Sequence, residues 1–556
     1  MRRLAAVVIL ALVATACTGD EVGTRAPVEG ASRGGRLVVA IDRPRSIDPQ
    51  ATDAKDAGGA LVVETMCDRL VELDPVTGEP KPAIAESWIV ADGGRRVTFK
   101  LRKGVRFHNG QELNAEDVRF TLSRLAERDF ASPVASLMEP VNGYDIIHGN
   151  EEADDDRYRT QLRGVRVIES FSFEVVLDEQ LSGFFHRLAH VAASPVPKSV
   201  VEENPQAFGQ QPVCAGPYQM TEPWSPGDDI TLERFGDYYG ANTAFTSGGT
   251  GYADTIVFRG FGNRADQEAA FADGDVDAAI ARAERDVAER AGDDAIAANT
   301  PTVEYIGLPV KVEPFNQRAV RVALSQAINR QRVIDEVYGG LREPAAEIVP
   351  PGAGPLHRRA ACADRAPVTG NVEAARATLR DAGVDLSGRS LPLLFNDEFD
   401  HRELARAVAD QWRDAFGLEV ELVPMDWERY VQTGIGQPGF EGAFRMTWSP
   451  QVPGADAYLE PLFGSASIGR DNFTRFSDPA FDRTLEREAR RAIDPQDVTD
   501  SYQALENIVC GEMPLIPLNR GVRLYLVDVA GVGSALGESY TALPTGSLLV
   551  RELFVR

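Results

Sequence analysis

Residues 85–120 read AESWIVADGGRRVTFKLRKGVRFHNGQELNAEDVRF, and they carry the clearest local signals in the chain. The pentapeptide VTFKL at 97–101 alternates apolar and polar residues, which is typical of a half-buried strand. Asn114 then precedes the tripeptide AED, where a short polar side chain can cap a helix and acidic residues favour its first turn. We therefore predict a strand followed by a helix that continues to about Leu125.

Strands and helices continue to alternate on both sides of this segment. Helices with regularly spaced apolar residues are predicted at 317–338, before Gly339, and at 402–416, before Gly417. Further strands are predicted at 36–41, 172–177, 230–234, 303–310 and 418–422. This order is typical of α/β layers, and no repeat indicates a solenoid or propeller.

Length and charge narrow the classes of protein that fit. The 556 residues predict two to four domains at about 100–200 residues each. Apolar residues make up 43% and charged residues 26%, which is ordinary globular composition. The net charge of −26 argues against a protein that binds nucleic acid or an anionic lipid surface.

The amino-terminal residues read as an export signal. Arg2 and Arg3 precede an apolar run and the tetrapeptide Ala14-Thr15-Ala16-Cys17, so residues 1–16 are predicted to be a signal peptide. The tetrapeptide resembles the lipobox of bacterial lipoproteins, which implies lipidation of Cys17, a flexible tether at 17–35 and attachment to the outer face of the cytoplasmic membrane. An ordinary cleaved signal is the alternative. No later apolar run is long enough to predict a membrane span.

Motifs for catalysis and for metal binding are weak. His186 and His190 have helical spacing, but no glutamate or third ligand accompanies them as in a zinc protease. The acids at 273–284 resemble a calcium loop that has Ala278 where glycine is needed. Nucleophile elbows, phosphate loops and dinucleotide fingerprints are missing from the sequence, so we expect no metal, no cofactor and a binding function. A dispersed pair of carboxylates, as in a glycosidase, stays possible.

Export makes the remaining cysteines candidates for disulfide bonds. They are Cys67, Cys214, Cys362 and Cys510, and their wide spacing does not fit a zinc motif. Four cysteines allow three pairings, between which the residues alone do not choose.

Five segments together resemble one family. The first is 85–120, which matches the family in the order and spacing of its residues. The others are AASPVPK at 192–198, CAGPYQMTEPWSPGDDITLERFGDYY at 214–239, VRVALSQAINRQRVIDEVY at 320–338 and PLIPL at 514–518. The chain from 36 onward thereby resembles the solute-binding proteins of peptide-type ABC transporters, the oligopeptide and dipeptide class known as bacterial extracellular solute-binding protein family 5.

This resemblance implies an α/β fold, a two-lobed clamp like that of periplasmic binding proteins (type II, cluster C), with an extra subdomain in the first lobe. It implies a monomer that delivers a solute to the permease and ATPase of an ABC importer, and pairings Cys67–Cys214 and Cys362–Cys510 that each stay inside one lobe. The implied bounds are 36–72, 203–304 and 517–556 for lobe I, 73–202 for the subdomain and 305–516 for lobe II.

The resemblance also places ligand contacts around residues 444–462, FRMTWSPQVPGADAYLEPL. Peptide-binding members commonly carry W-x-x-D-Y-x-D-P here, with the first aspartate on the peptide's ammonium group. Trp448 is kept, but Gln451 replaces that aspartate and Gly454-Ala455 replaces the later Asp-Pro. A neutral amide makes a weaker bond to a cation than a carboxylate does. Asp456 or Asp53 is a possible substitute.

Three further residues are assigned to the cleft by the same resemblance. Arg445 is predicted to bind an anionic ligand group, with a surface ion pair as the alternative. Trp427 matches an aromatic residue that lines the cleft, although both it and Trp448 can instead belong to the core. Gly216 lies in Cys214-Ala215-Gly216-Pro217-Tyr218, where the family's backbone borders the cleft.

Four functions remain open at this point. The first is capture of a peptide or a solute of similar size for an ABC importer. The second is the same fold with an oligosaccharide, a metal chelate or another small metabolite as ligand, which the loss of the aspartate favours. The third is a secreted hydrolase, and the fourth is a receptor that signals or scaffolds without transport.

Overall fold

A computed structural model describes residues 31–52, 56–75, 77–149, 155–240, 251–351, 353, 361–435, 440–489, 495–536, 539–542 and 545–556. Its strands are β1 Arg36–Asp42, β2 Val71–Leu73, β3 Pro80–Pro82, β4 Ala85–Ala91, β5 Arg96–Leu101, β6 Val165–Glu169, β7 Ser172–Val176, β8 Tyr218–Met220, β9 Ile230–Arg234, β10 Thr255–Phe261, β11 Ala278–Ala281, β12 Ala295–Gly307, β13 Ser390–Asn396, β14 Glu419–Met425, β15 Ala443–Trp448, β16 Leu515–Val527, β17 Val532–Ser534 and β18 Leu553–Val555.

The helices fill the connections between these strands. They are α1 Ala57–Met66, α2 Ala115–Ala126, α3 Tyr144–Ile147, α4 Phe184–Leu188, α5 Lys198–Glu203, α6 Pro205–Gln210, α7 Arg264–Ala272, α8 Arg285–Ala291, α9 Arg318–Gln326, α10 Arg330–Tyr338, α11 Val372–Asp381, α12 His401–Phe416, α13 Trp427–Arg429, α14 Asp456–Phe463, α15 Pro479–Thr484 and α16 Pro495–Glu512. Within the described residues, no helix is both long and apolar enough to span a bilayer.

One mixed sheet of ten strands runs through the molecule, in the order β14-β13-β15-β12-β16-β11-β1-β10-β9-β8. β13 is parallel to β14 and β15 at one end, and β1 is parallel to β10 and β11 towards the other. β12 and β16 pair antiparallel in the middle and have 13 residues each. These two long strands therefore join the two ends of the sheet.

A bulge interrupts the pairing of β12 with β16. Residues 300–302 lie between the pair Asn299–Val522 and the pair Val303–Arg520, so three residues of β12 stand opposite Gly521 alone. A Cβ atom on Gly521 would lie 2.5 Å from Thr300 Oγ1, so the two strands approach each other closely here. We propose this bulge as the boundary between the lobes, a few residues from the implied lobe bounds at 304 and 516.

Two hydrophobic cores lie on opposite sides of the bulge. Apolar residues from Val303 to Leu518 form the core of what we call lobe II, around β13, β15 and α12. Residues of β1, α1, β9 and β10, with Tyr525 and Leu553, form the core of what we call lobe I. Separate cores allow each lobe to behave as a rigid unit while the strands between them bend.

A third core belongs to a subdomain that is attached to lobe I. Its sheet has the order β4-β5-β7-β6, and α2 packs on it. Asn114 caps α2 and forms a capping box with Asp117, as the local sequence predicts. Val452 of lobe II packs into this core, so the subdomain also touches the second lobe.

The predicted helix at 317–338 is wrong in one respect, because the chain forms two helices there. Asn329 ends the first by capping the second, with its side chain accepting a bond from the Arg332 amide at 2.9 Å. Arg330 is buried between the helices and donates to the carbonyls of Pro517 and Ser325. Polar bonds at 329 and 330 thus outweigh the helical pattern.

Both disulfide pairings implied by the resemblance are confirmed. Cys67 pairs with Cys214 inside the lobe I core, and Cys362 pairs with Cys510 inside the lobe II core. Because each bridge stays within one core, neither ties one lobe to the other.

Candidate functional site

A cavity of about 290 Å³ lies between the lobes at the crossing strands, and we call it the hinge cavity. Residues 300–302 of the bulge border it directly. Lobe I contributes one face of α1 and parts of residues 69–75, 186–191 and 523–552, and lobe II contributes residues 449–453. A solute in this cavity would therefore contact both lobes and the segment that joins them.

Close packing places α1 at the wall of this cavity. Asp56 caps the helix by accepting a bond from the Gly59 amide, and it also accepts from the amides of Arg45 and Ser46 at 2.9 Å. Gly58 faces the carbonyl of Asp42, where a Cβ atom would lie 1.9 Å away. The glycine therefore lets α1 lie directly on the chain that leaves β1.

A buried ionic cluster forms one side of the cavity. Arg551 donates to Asp68 at 2.9 Å and to Glu72 at 2.8 Å, and Arg69 lies 3.6 Å from Glu72. Burial and the neighbouring Glu72 raise the pKa of Asp68 to about 6, while Arg551 opposes the shift. The guanidinium groups of Arg551 and Arg69 are thus already neutralised by protein carboxylates.

Arg523 also borders the cavity, and its environment is different. It lies on β16, is half-buried, and donates to the hydroxyl of Tyr525 at 3.3 Å. Within the described part of the chain, no carboxylate lies within 4.0 Å of its guanidinium group. The hinge cavity therefore contains a cation whose charge the protein does not pair.

A second cavity of about 300 Å³ lies between the subdomain and lobe II, and we call it the aromatic cavity. Trp88 and Phe185 border it, with their ring centroids 4.9 Å apart. Tyr502 of α16 and Ser182 of the subdomain share a hydrogen bond of 3.1 Å at its edge. His186 borders both cavities, so the two adjoin at this residue.

Asp456 is the predicted ligand residue that borders the aromatic cavity. It is only 7% exposed and lies against Gly183, where a Cβ atom would be 2.4 Å from Oδ2. Burial lowers the pKa of His186, and the charge of Asp456 opposes that shift. Asp456 thus places a negative charge at the interface of the subdomain and lobe II.

Gln451 is the predicted ligand residue that borders the hinge cavity. Its Oε1 accepts a hydrogen bond from Ser136 Oγ of the subdomain at 3.2 Å, and its side chain is exposed. The amide is therefore available at the mouth of the cavity, next to Pro450 and Val452.

Arg445 lies in the interior of lobe II, away from both cavities. Its Nε donates to Glu304 Oε1 at 2.7 Å, and its guanidinium group also bonds Thr447 Oγ1 at 2.6 Å. Arg445 is 6% exposed and Glu304 1%. The structure thus shows the ion pair that was the alternative for Arg445, but buried instead of at the surface. An anion-binding role for Arg445 stays a prediction.

Glu304 is the centre of that buried cluster. Its Oε2 accepts bonds from Tyr338 at 2.7 Å, Arg342 at 2.8 Å and Asn519 at 2.9 Å. Burial raises the pKa of Glu304. Arg445, Arg342 and these hydrogen bonds lower it by a larger amount, so that the pKa is about 2. The carboxylate is therefore charged and fully bonded across the ordinary pH range.

The two tryptophans lie outside both cavities. Trp448 packs against the lobe II core and donates to the Ala457 carbonyl at 2.7 Å, which is the core position given as its alternative. Trp427 is 47% exposed at the start of α13, with its ring 6.2 Å from that of Tyr430. Contact of either ring with a ligand stays a prediction.

Gly216 lies beside the Cys67–Cys214 bridge, where a Cβ atom would come within 2.1 Å of the Met66 carbonyl. His108 supports this loop, since its Nδ1 accepts from the Cys214 amide at 3.3 Å and its Nε2 lies 3.4 Å from the Gly216 carbonyl. Burial lowers the pKa of His108 to about 3, so the ring is neutral. Asp53 and Cys17 lie outside the described residues.

Sequence reasoning missed Arg523. A signal was present, because an arginine in the apolar strand segment VRLYLV at 522–527 breaks the apolar pattern. The sequence does not show that the arginine faces a cavity. The direction of its side chain depends on the strands with which β16 pairs and on which face of β16 lies against lobe I. Groups of three or more metal-ligating side chains are not found among the described residues.

Comparison with known proteins identifies the class of this cleft. Residues 79–470 match the sequence profile of the bacterial extracellular solute-binding proteins of family 5, in its middle region. The chain is 26% identical over 483 residues to the probable deoxycholate-binding periplasmic protein YgiS of Escherichia coli, covering 85% of this chain and 86% of that one. It is 26% identical over 481 residues to the glutathione-binding protein GsiB of Salmonella typhimurium, with the same coverage of 85% and 86%.

Solved structures have the same architecture. The unliganded open form of the murein tripeptide-binding protein MppA superposes with a TM-score of 0.82 at 20% identity, covering 95% of this chain and 98% of that chain. Haemophilus influenzae OppA in complex with the peptide RPPGFSPFR gives a TM-score of 0.62 at 22% identity, covering 94% and 98%. The predicted two-lobed α/β clamp is thereby confirmed.

Proposed function

The chain belongs to the bacterial extracellular solute-binding proteins of family 5, which serve ABC importers, and we propose that its solute is a short peptide handed to a cognate permease and ATPase. The observation that carries the proposal is the hinge cavity, because both lobes and the crossing strands border it. A solute bound there makes contacts with the second lobe that only the closed form provides. Binding therefore favours closure.

The chemistry of the cleft is suited to a small polar solute. Pockets for small ligands typically have volumes of about 300–1,000 Å³, and the two adjoining cavities fall at the lower end of that range. Gln451, Asp456 and Arg523 bring an amide, a carboxylate and a guanidinium group to the space between the lobes. A peptide carries partners for all three, and its buried backbone groups need such partners.

An oligosaccharide or another solute without charge is the second candidate. The observation that favours it is Gln451, which stands where peptide-binding members commonly carry an aspartate. A neutral amide is as well suited to a sugar hydroxyl as to an ammonium group. Ligand screening separates the two candidates.

We expect the mature protein to be a monomer attached through a lipid on Cys17 to the outer face of the cytoplasmic membrane. Electrophoresis of cell fractions from wild type and Cys17→Ala should find the wild type with membranes and the variant in the soluble envelope fraction. If the wild type is found in the soluble fraction as much as the variant is, the alternative of an ordinary cleaved signal peptide without lipidation would be supported.

The first experiment is native mass spectrometry of protein purified without unfolding, since a closed cleft retains its solute. Thermal unfolding is then followed with short peptides and with oligosaccharides. A ligand at about 100 times its Kd stabilises the folded state by about 2.7 kcal/mol. Stabilisation by an oligosaccharide and by no peptide would contradict the peptide proposal, and steady conversion of the bound solute would indicate an enzyme.

A matched pair of variants tests the position of the site. Ala60 of α1 borders the hinge cavity, whereas Ala207 of α6 is exposed on the outer surface. Ala60→Trp fills part of the cavity and should weaken binding of the solute by about tenfold or more, because overpacking and lost space disfavour the complex. Ala207→Trp should leave Kd unchanged, and equal affinities for both variants would place the solute elsewhere.

A further inference from the structure

We propose that Arg523 is the anion anchor of the hinge cavity and that the solute carries a carboxylate that pairs with it. The inference rests on the proposed function and narrows it to a class of ligand. It assigns to lobe I and the crossing strand β16 the role that the sequence predicted for Arg445 in lobe II.

The pairing of β16 turns Arg523 towards the cavity. Arg523 stands opposite Ala298 on β12, just beyond the bulge on the lobe I side. Residues two apart in a strand share a face, so Arg523 lies on the face of Tyr525, which also borders the cavity. Leu524 and Leu526 lie on the other face and pack in a separate apolar cluster with Ala279.

The position of the guanidinium group is held by Tyr525. The phenol oxygen accepts from the Leu548 amide at 3.2 Å and from Arg523 Nη1 at 3.3 Å, and it donates to the Gly546 carbonyl at 3.0 Å. The phenol is therefore fixed by the backbone. A guanidinium group held in this way loses little freedom when it binds an anion, which increases affinity.

The remaining donors of Arg523 are available. A guanidinium group has five N–H donors, and one of these bonds Tyr525. Asp42 and Glu64 act on Arg523 through their charges, but neither forms an ion pair with it. Arg69 and Arg551 border the same cavity and are neutralised by Asp68, Glu72 and Glu64. Arg523 is thus the guanidinium group that an incoming anion can pair without displacing a protein carboxylate.

Hydroxyl groups complete a site for a carboxylate. Thr300, Thr302, Ser449 and Ser547 border the hinge cavity, and Thr302 Oγ1 donates to Ser449 Oγ at 3.2 Å, next to the paired residues Val303 and Trp448. A carboxylate accepts two parallel bonds from an arginine fork and has lone pairs left for hydroxyl donors. The cavity therefore favours a solute with a free carboxylate over an amide or a neutral sugar.

The test compares ligands that differ only in this group. The panel contains trialanine, trialanine amide, Ala-Glu-Ala amide, glutarate and maltotriose, titrated by calorimetry into wild type, Arg523→Gln and Arg523→Lys. Arg290→Gln is the matched control, because Arg290 pairs with Asp286 on the exposed surface of α8. Circular dichroism and the melting temperature establish that each variant is folded.

We expect trialanine to bind wild type roughly 10- to 100-fold more tightly than trialanine amide, as charge-assisted hydrogen bonds imply. In Arg523→Gln this preference should disappear, in Arg523→Lys it should return in part, and in Arg290→Gln it should be unchanged. Recovery of binding with Ala-Glu-Ala amide would assign the carboxylate to a side chain instead of the peptide terminus.

The outcomes separate the two proposals. If glutarate binds and peptides do not, and Arg523→Gln abolishes the binding of glutarate, the role of Arg523 as anion anchor is supported and the proposal of a peptide solute is rejected. If peptides bind wild type and all three variants with the same Kd, the proposal of a peptide solute is supported and the role of Arg523 as anion anchor is overturned. Equal binding of maltotriose by wild type and Arg523→Gln counts against the anchor, and a wild type that binds no member of the panel contradicts both proposals.

Discussion

Arg445 and Glu304 show how much one buried charge depends on its partner. Arg445 pairs with Glu304 across the neighbouring strands β12 and β15, where both side chains are removed from water. An unpaired charge at such a position is costly, because the desolvation of the remaining ion is no longer offset by its partner. The pair therefore makes Arg445 a residue on which stability depends.

Arg445→Met should lower the free energy of unfolding by about 3 kcal/mol, at the low end of the range for broken buried pairs because Arg342 still neutralises Glu304. Urea unfolding at pH 7 measures the change. Arg402→Met is the control, since Arg402 forms its ion pair with Asp397 where both are about 40% exposed. Equal stability of both variants would show that the buried pair contributes little.

The pKa of Glu304 gives a second prediction at this scale. Its folded value of about 2 lies below the usual 4.5, so its contribution to stability is fully present above pH 4.5 and is lost as the pH falls towards 2. Arg445, Arg342, Tyr338 and Asn519 are the groups that bond this carboxylate.

Urea midpoints at pH 2, 3, 4 and 5 should therefore fall with pH more steeply for wild type than for Glu304→Gln. The glutamine variant is expected to be less stable at pH 5 and to approach wild type at pH 2. Parallel curves for the two proteins would mean that Glu304 does not cause the acid sensitivity.

Arg445 also shows where prediction from sequence ends at the residue scale. The sequence identifies an arginine beside a tryptophan in a segment that resembles a binding region. It does not show that Glu304, far away in the chain, lies two residues from the pairing partner of Arg445 on the neighbouring strand β12 and engages the guanidinium group. Arg523 is the converse case, since its guanidinium group bonds the hydroxyl of Tyr525 and forms no ion pair with a carboxylate of the described residues.

At the scale of elements, the bulge between β12 and β16 is the boundary that we propose between the lobes. Gly521 stands opposite three residues of β12, with Thr300 and Thr302 on either side. The lack of a side chain allows the two strands to approach at the point where we propose that they bend.

Gly521→Ala should lower stability by about 1–3 kcal/mol, because the new Cβ atom would lie 2.5 Å from Thr300 Oγ1 and 2.8 Å from Thr302 Cβ. It should also weaken solute binding, since the strands must separate at the point of bending. Thermal unfolding and calorimetry measure the two effects. Gly209→Ala is the matched control, because a Cβ atom there would meet no atom within 4 Å. Unchanged stability and Kd in Gly521→Ala would exclude tight packing at the bulge.

Elements that depend on neighbours in the chain could be predicted, and those that depend on distant partners could not. The helix that begins after Asn114 has its cap, its acids and its apolar face within one short segment. β12 begins at Ala295, well before the predicted strand at 303–310, because its first half is held by pairing with β16. The break at Asn329 was missed because a capping side chain competes with a good helical pattern.

For the whole molecule, the cores of the two lobes and the crossing strands β12 and β16 predict a change of shape on binding. Small-angle X-ray scattering of the protein with a solute that stabilises it should give a smaller radius of gyration than the free protein, because closure brings lobe II towards the subdomain. Ala60→Trp with the same solute is the control. Identical curves with and without a bound solute would contradict closure.

The two-lobed shape could be predicted only through resemblance to a family. Alternating strands and helices indicate α/β layers, but they do not show that one sheet passes through two cores. That arrangement depends on β16, a strand near the end of the chain, inserted between β11 and β12. The resemblance supplied the architecture, and also the disulfide pairings, which the residues alone left open.

The position of β16 has a consequence for how the protein is made. A chain that is exported from its amino end emerges with β1 well before β16, and both halves of the sheet need β16 as an interior strand. Neither half of the sheet can therefore be completed before β16 has emerged. A message that is cut short before β16 would yield two half-sheets that each lack the strand they share.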